Sequence, residues 1–350
     1  MSTCHAVPAH NNFDFLRFAF AATVILYHAR ILSAAPQLAF LDLLSAEFAV
    51  KGFFVVSGFL VFMSFEQSRS TADYFGKRIR RIYPAYATVV VGAAILGAFV
   101  TTLPLHEYVS ADVGRYLAAN LLFANFLALN LPGVFADNPM TEVNGALWTI
   151  KVEVMFYLSV PALAWLGRRF GRSAVLVAAY LFAIVWAEAF AALAARTGSS
   201  LYAKLAYQLP GQLGYFAAGA LCYCHLPALQ KHWPAAAVLG GAGLIVARHA
   251  LALPLVIEPA ALALLVVYLA LGLRYLGNFA RFGDFSYGIY IIHVPVLQTL
   301  VAYGVFAENA LRGLALAIAL VLALALACWH LVEKPFLRRA SHYVIASRAA

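Results

Sequence analysis

Residues 13–33 read FDFLRFAFAATVILYHARILS, an apolar run holding Asp14, Arg17 and His28. About 20 apolar residues, at about 1.5 Å rise each, are enough to cross a ~30 Å hydrocarbon core. Ionisable groups inside such a run are costly in lipid, so they turn toward protein or a polar pathway. Arg17 and His28 are eleven residues apart, which on a helix is roughly 16 Å of rise and nearly the same face. Asp14, Arg17, Ala21 and His28 therefore form one polar-edged stripe. The run reads as a membrane helix that shows one edge to the interior of a bundle.

The rest of the chain extends that reading. Of 350 residues, 64% are apolar or aromatic and 11% are charged, where soluble domains carry about a quarter charged. Further runs predict spans near 48–66, 83–103, 145–166, 173–194, 205–224, 234–250, 255–273, 284–306 and 311–332. The expected fold is all-α, a polytopic bundle of about ten spans forming one domain over 1–350, with no appended soluble domain and no internal repeat. Segment 116–130 is short and Asn-rich (Asn120, Asn125, Asn130), and is expected to be re-entrant or interfacial. The first run lacks a basic flank and a cleavage site, so it is expected to be retained. Cys4, Cys222, Cys224 and Cys328 have neither zinc spacing nor a redox pair's spacing, and no metal is expected.

Cations set the orientation. With a cytoplasmic N-terminus, the inner loops and the 333–350 tail hold Arg69, Lys77, Arg78, Arg80, Arg81, Arg168, Arg169, Arg172, Lys231, Arg274, Arg281, Lys334, Arg338, Arg339 and Arg348. The outer loops hold only Arg30, Arg115, Arg196, Lys204, Arg248 and Arg312. The positive-inside bias places both ends in the cytoplasm. The same bias accounts for the net charge of +9, so nucleic acid is not an expected partner.

Three cations, Arg17, Lys51 and Lys151, fall inside spans. By depth, Trp148, Lys151 and Glu153 lie near the level of His28, and Ser57 near the midplane. A His28–Glu153 pair would orient the imidazole and raise its basicity, as a general base for a hydroxyl needs. An ion pair of Glu153 with Lys151 or Lys51 that only joins helices is the alternative. Ser286, Tyr290 and His293 share a face of the span from 284. The segment FGKRIRRIYP, residues 75–84, places Lys77, Arg78, Arg80 and Arg81 at the inner surface. Such a cluster suits anionic membrane lipids or the phosphates of a nucleotide-bearing donor.

Five segments resemble the acyltransferase type 3 family of bacterial membrane proteins, which O-acylate O-antigen, exopolysaccharide, Nod factor and related glycans. They are residues 12–17 with His28 (an R-x10-H pattern), GFFVVSGFL at 52–60, KRIRRIYP at 77–84, LWTIKVE at 147–153 with Phe156 and Tyr157, and FSYGIY at 285–290 with His293 and Pro295. Val332 to Phe336 follow near the end. The resemblance covers nearly the whole chain in order. It implies an acyl-CoA donor, usually acetyl-CoA, a glycan or lipid-linked glycan acceptor, and a bacterial inner-membrane location. It also implies roles for Arg17, His28, Arg78, Arg81 and Glu153. Glu153-Val154-Met155 departs from the family's Glu-Glu-Gln, and Lys51 from its acidic or small residue.

The expected chemistry is O-acylation of a carbohydrate hydroxyl, with His28, Glu153 and Arg17 catalytic. Lys77, Arg78, Arg80 and Arg81 are expected to hold the donor, with Ser57, Trp148, Lys151, Tyr290 and His293 along the substrate path. An acyl-enzyme on Ser57 or His28 is the variant. The alternative class is a sugar or glycolipid transporter or flippase, which intramembrane Arg, His and Glu suit equally; two similar halves or paired broken helices, its usual marks, are not seen in the sequence.

Overall fold

A computed structural model of the chain describes residues 7–8, 10–249, 254–281, 283–338 and 341. Cys4, Arg339, Arg348 and the end of the expected span 234–250 lie outside the described residues. Ten longer helices follow in order: α1 Phe13–Ser33, α2 Ala46–Glu66, α3 Thr71–Val100, α4 Leu147–Phe170, α5 Arg172–Thr197, α6 Leu209–Cys224, α7 Trp233–His249, α8 Pro254–Leu271, α9 Ser286–Ala302 and α10 Ala310–Cys328. No strand occurs among the described residues. Six helices, α1 to α5 and the stretch Ala310–Phe336 that begins with α10, are long and apolar enough to cross a membrane. On α5, Leu181, Phe182 and Val185 are more than half exposed. An apolar helix that leaves so much of itself uncovered is built to face lipid.

Local chemistry accounts for the helix boundaries. Ser70 Oγ accepts from the Asp73 N–H at 3.1 Å and Asp73 accepts from the Arg69 N–H at 3.3 Å, a close relative of the capping box. This cap starts α3 at Thr71, twelve residues ahead of the expected span 83–103. The basic segment 75–84 is therefore helix and not a loop, with Pro84 inside it. Segment 116–130 splits into a short helix, Ala111–Leu121, and a 3-10 turn, Asn125–Leu127. At about 1.5 Å per residue the short helix covers roughly half a bilayer core, so it is no complete span.

The chain divides into two compact units. Unit 1 comprises Met1–Leu16, Val50–Phe75 and Val152–Gly277. Within it α5 packs on α6, and α7 on α8. A Cβ built on Gly58 of α2 would lie 2.0 Å from the Phe216 carbonyl oxygen, and one on Gly219 of α6 would lie 2.1 Å from that of Val55. The two backbones touch directly, the close approach that small residues permit in membranes. Asn12 straps the head of α1 to the end of α8. Its amide donates to the carbonyls of Leu269 and Arg274, and its Oδ1 accepts from the Leu276 N–H.

Unit 2 comprises Arg17–Ala49, Gly76–Lys151 and Asn278–Ala350. Here α9 packs on α10, with Gly288 against Ala325. Tyr86 of α3 donates to the Asn120 carbonyl at 2.7 Å and lies against Phe123, ring centroids 4.4 Å apart. After α10 the chain makes a π turn, Trp329–Glu333, and one last helical turn, Lys334–Phe336. Pro335 lacks the N–H that would continue the α ladder, and the wider turn carries Glu333 inward, where it is 1% exposed.

Candidate active site

Unit 2 brings two helices together through polar contacts at two heights. Higher up, His28 Nδ1 of α1 lies 2.8 Å from His293 Nε2 of α9, the ring planes 22° apart. His293 Nδ1 is 2.7 Å from the Tyr290 carbonyl oxygen. A carbonyl only accepts, so His293 Nδ1 carries the hydrogen and Nε2 of the neutral ring is the acceptor. In the tautomer that satisfies this contact, the Nδ1–H of His28 donates to it and Nε2 of His28 keeps its lone pair. His293 is fully buried while His28 is half-buried, so the basic atom belongs to the more open ring. The neighbourhood of His293 is fixed by two further contacts. Tyr290 and Thr149 share a hydroxyl–hydroxyl bond of 2.8 Å, and Asn144 donates to the Ile291 carbonyl at 2.8 Å. Trp148, beside Thr149, is half-buried.

Lower down is a buried ion cluster. Asp284 Oδ2 lies 2.6 Å from Arg81 Nη2 and 3.3 Å from Arg17 Nη1. Arg81 Nη1 also donates to Glu333 Oε2. Asp284 Oδ1 accepts from the Ser286 hydroxyl at 2.5 Å and from the Ser286 N–H at 3.3 Å, which stabilises the first turn of α9. All four charged side chains are 11% exposed or less. Gly283 makes the approach feasible. Its φ is +128°, and a Cβ there would sit 2.2 Å from Trp329 Nε1. Arg81 is thus a buried member of an ion cluster. Of its basic neighbours, Lys77 and Arg78 are half-buried and Arg80 is exposed.

Unit 1 holds Glu153. Its Oε1 accepts from the Ser57 hydroxyl at 3.3 Å and from the Tyr157 hydroxyl. Glu153 and Tyr157 are one turn apart on α4, and Ser57 precedes the Gly58 contact on α2. Lys51 bonds Glu258 at 2.9 Å and lies 5.3 Å from the centre of the Tyr215 ring. Neither Lys51 nor Glu153 therefore has the other as its partner. Lys151, in unit 2, sits 4.9 Å over the Phe126 ring. His28 lies in unit 2 and Glu153 in unit 1. Among the described residues no three His, Cys, Asp or Glu side chains converge as a metal site would require.

Asp284 and Glu258 were not foreseen, and Glu333 was foreseen only as part of a motif. One signal pointed to them. A chain with so few acids inside apolar runs, and with Arg17, Lys51 and Arg81 to compensate, has few carboxylates available to do it.

The family model described as "Acyltransferase domain" matches residues 10–332. Among curated relatives, Nodulation protein 10 of Rhizobium leguminosarum bv. viciae is 32% identical over 53% of this chain and 52% of its own length. An O-acetyl transferase of Shigella phage Sf6 is 29% identical over 42% of this chain and 44% of its own. The chain spans about half the length of these relatives. No solved structure matches it.

Proposed function

The chain belongs to the acyltransferase-domain family, and from that premise we propose that it is a membrane O-acyltransferase moving an acetyl group from acetyl-CoA to a hydroxyl of a cell-surface or secreted glycan. The observation that carries the reading is the ordered His28–His293 pair. It leaves the Nε2 lone pair of a half-buried imidazole as the base. That atom takes the proton of the acceptor hydroxyl as the oxygen attacks the thioester carbonyl. The C–O bond forms, the C–S bond breaks, and the proton passes to the departing thiolate. A neutral base in a desolvated site is effective because no water shell must be stripped from it first.

The remaining roles follow the chemistry of the groups. Lys77, Arg78 and Arg80 hold the donor phosphates by charge-assisted bonds. Arg81 serves the same end of α3 as its buried anchor. Arg17 biases the field at the foot of α1. Glu153, oriented by Ser57 and Tyr157, is the second acid–base group. Trp148, Lys151, Tyr290 and His293 are the acceptor-path residues of unit 2, and Ser57 is the candidate in unit 1. The topology in this reading is ten crossings with both ends cytoplasmic, in a bacterial inner membrane. The phage relative's name supports acetyl as the acyl group.

The test is transfer of label from acetyl-CoA to envelope glycan in membranes carrying wild type, His28→Ala or Glu153→Gln at equal expression. Label with wild type and none with His28→Ala is the expected result. Label retained by His28→Ala overturns the assignment of the base. Movement of labelled glycan into empty vesicles without CoA, and no ester, would favour transport.

A further inference from the structure

We propose that Asp284, backed by Glu333, is a positioning residue for acyl transfer: by holding Arg17 it sets the register of α1 against α9, and so the meeting of His28 with His293. This rests on the reading of His28 as the base.

The two helices are joined at two heights, Arg17 to Asp284 and His28 to His293. On α1 the two residues are eleven apart, roughly 16 Å of rise; on the α9 side they are nine apart, roughly 13 Å. The spans correspond, so the helices run in the same direction here and each contact supports the other. They differ in tolerance. A guanidinium on a long stem can follow a carboxylate through small shifts. An N–H···N bond between two imidazoles works only at short range and in one tautomer. The ion contact therefore serves as a tether, limiting the sliding of α1 to the range in which the histidine bond can form.

Asp284 is built to do this. Its Oδ1 is occupied by the hydroxyl and N–H of Ser286, which binds it to the first turn of α9. Its Oδ2 faces both Arg17 and Arg81. Glu333, delivered by the π turn, takes the other arm of Arg81 and keeps Arg81 from needing both oxygens of Asp284. Without the charge of Asp284, Arg17 and Arg81 lose the carboxylate they share. An arginine does not shed its proton to relieve this, so the tie between Arg17 and the start of α9 is weakened.

The experiment compares wild type, Asp284→Asn, Asp284→Glu and Ser286→Ala in proteoliposomes, measuring kcat and the acetyl-CoA KM. Alongside it, solid-state spectra of 15N-histidine-labelled protein read the N–H···N coupling between His28 and His293. Asp284→Asn should lower kcat at least about tenfold and move KM by less than about threefold, because Lys77, Arg78 and Arg80 are unaltered and Glu333 still holds Arg81. Asp284→Glu should restore most of kcat, and the coupling should be lost in Asp284→Asn and present in Asp284→Glu. If Asp284→Asn does not fold, Ser286→Ala, which keeps all four charges, should show a smaller kcat loss with the same unchanged KM. Wild-type kcat in Asp284→Asn overturns the proposal, or in Ser286→Ala where that stands in. So does a changed KM at constant kcat, or a kcat loss with the coupling intact. A wild type that transfers no acyl group overturns the enzymatic reading instead, and the histidine coupling still decides the register.

Discussion

Two ion contacts, one from each unit, differ in how far they are closed to their surroundings. In unit 2, Arg81, Asp284 and Glu333 form a chain of contacts with side chains 9%, 3% and 1% exposed. In unit 1, Arg172 pairs with Glu66 at 2.7 Å, but Arg172 is 35% exposed. A partly open pair can exchange its partner for water or lipid headgroups, and so adds little. A closed one has no substitute, and removing one member leaves a buried charge uncompensated. Similar distances therefore describe interactions of different consequence, and burial decides which. Unit 2 also sets His28 against His293 at 2.8 Å, where unit 1 offers a carboxylate with two hydroxyl donors on one oxygen.

The contrast can be broken in graded steps. The largest effect belongs to His28→Ala, whose initial rate of labelled acyl transfer should fall on the order of 10²- to 10⁴-fold, with the thermal midpoint nearly unchanged. A midpoint that collapses with the rate would make His28 structural. Next comes Arg81→Ala. Stripping a partner from both Asp284 and Glu333 should destabilise the protein by about 3–5 kcal/mol, read from unfolding in mixed micelles. Loss below about 1 kcal/mol would mean that lipid or water reaches the cluster. Glu153→Gln retains an oxygen for Ser57 and Tyr157, so the fold should persist while turnover falls on the order of tenfold. The smallest effect is that of Arg172→Ala, under about 1 kcal/mol in the same unfolding assay. A loss as large as that of Arg81→Ala would erase the distinction between the two contacts.

Much of the fold was legible because lipid imposes a strict length on apolar helices. Each expected span overlaps a helix, and α1 matches its span to the residue. The start of α3 was missed because Ser70 and Asp73 cap a helix whose first turns are basic, and hydropathy sees only the apolar part. In the candidate site, Arg17, His28, Glu153 and His293 could be picked out as ionisable groups inside apolar runs. Their partners could not. Asp284 is 267 residues from Arg17 in sequence, and depth along a helix says nothing about which neighbour stands beside it. Similar depth suggested a His28–Glu153 pair; within their own units His28 meets His293, and Glu153 meets Ser57 and Tyr157. The sequence tells which groups leave the lipid, and only tertiary packing tells what they meet.

The contact of α2 with α6 at Gly58 and Gly219 has a mechanical meaning. It is made by backbone on backbone, so no side-chain rotamer can loosen it. Such a joint has no clearance. It resists sliding and lets the two rods rock about the point where they touch. Any breathing of unit 1 must then pivot there, and the parts of α2 farthest from the joint travel most. Ser57 is one residue from the pivot, the quietest place on its helix, so its hydroxyl meets the Glu153 carboxylate beside a fulcrum.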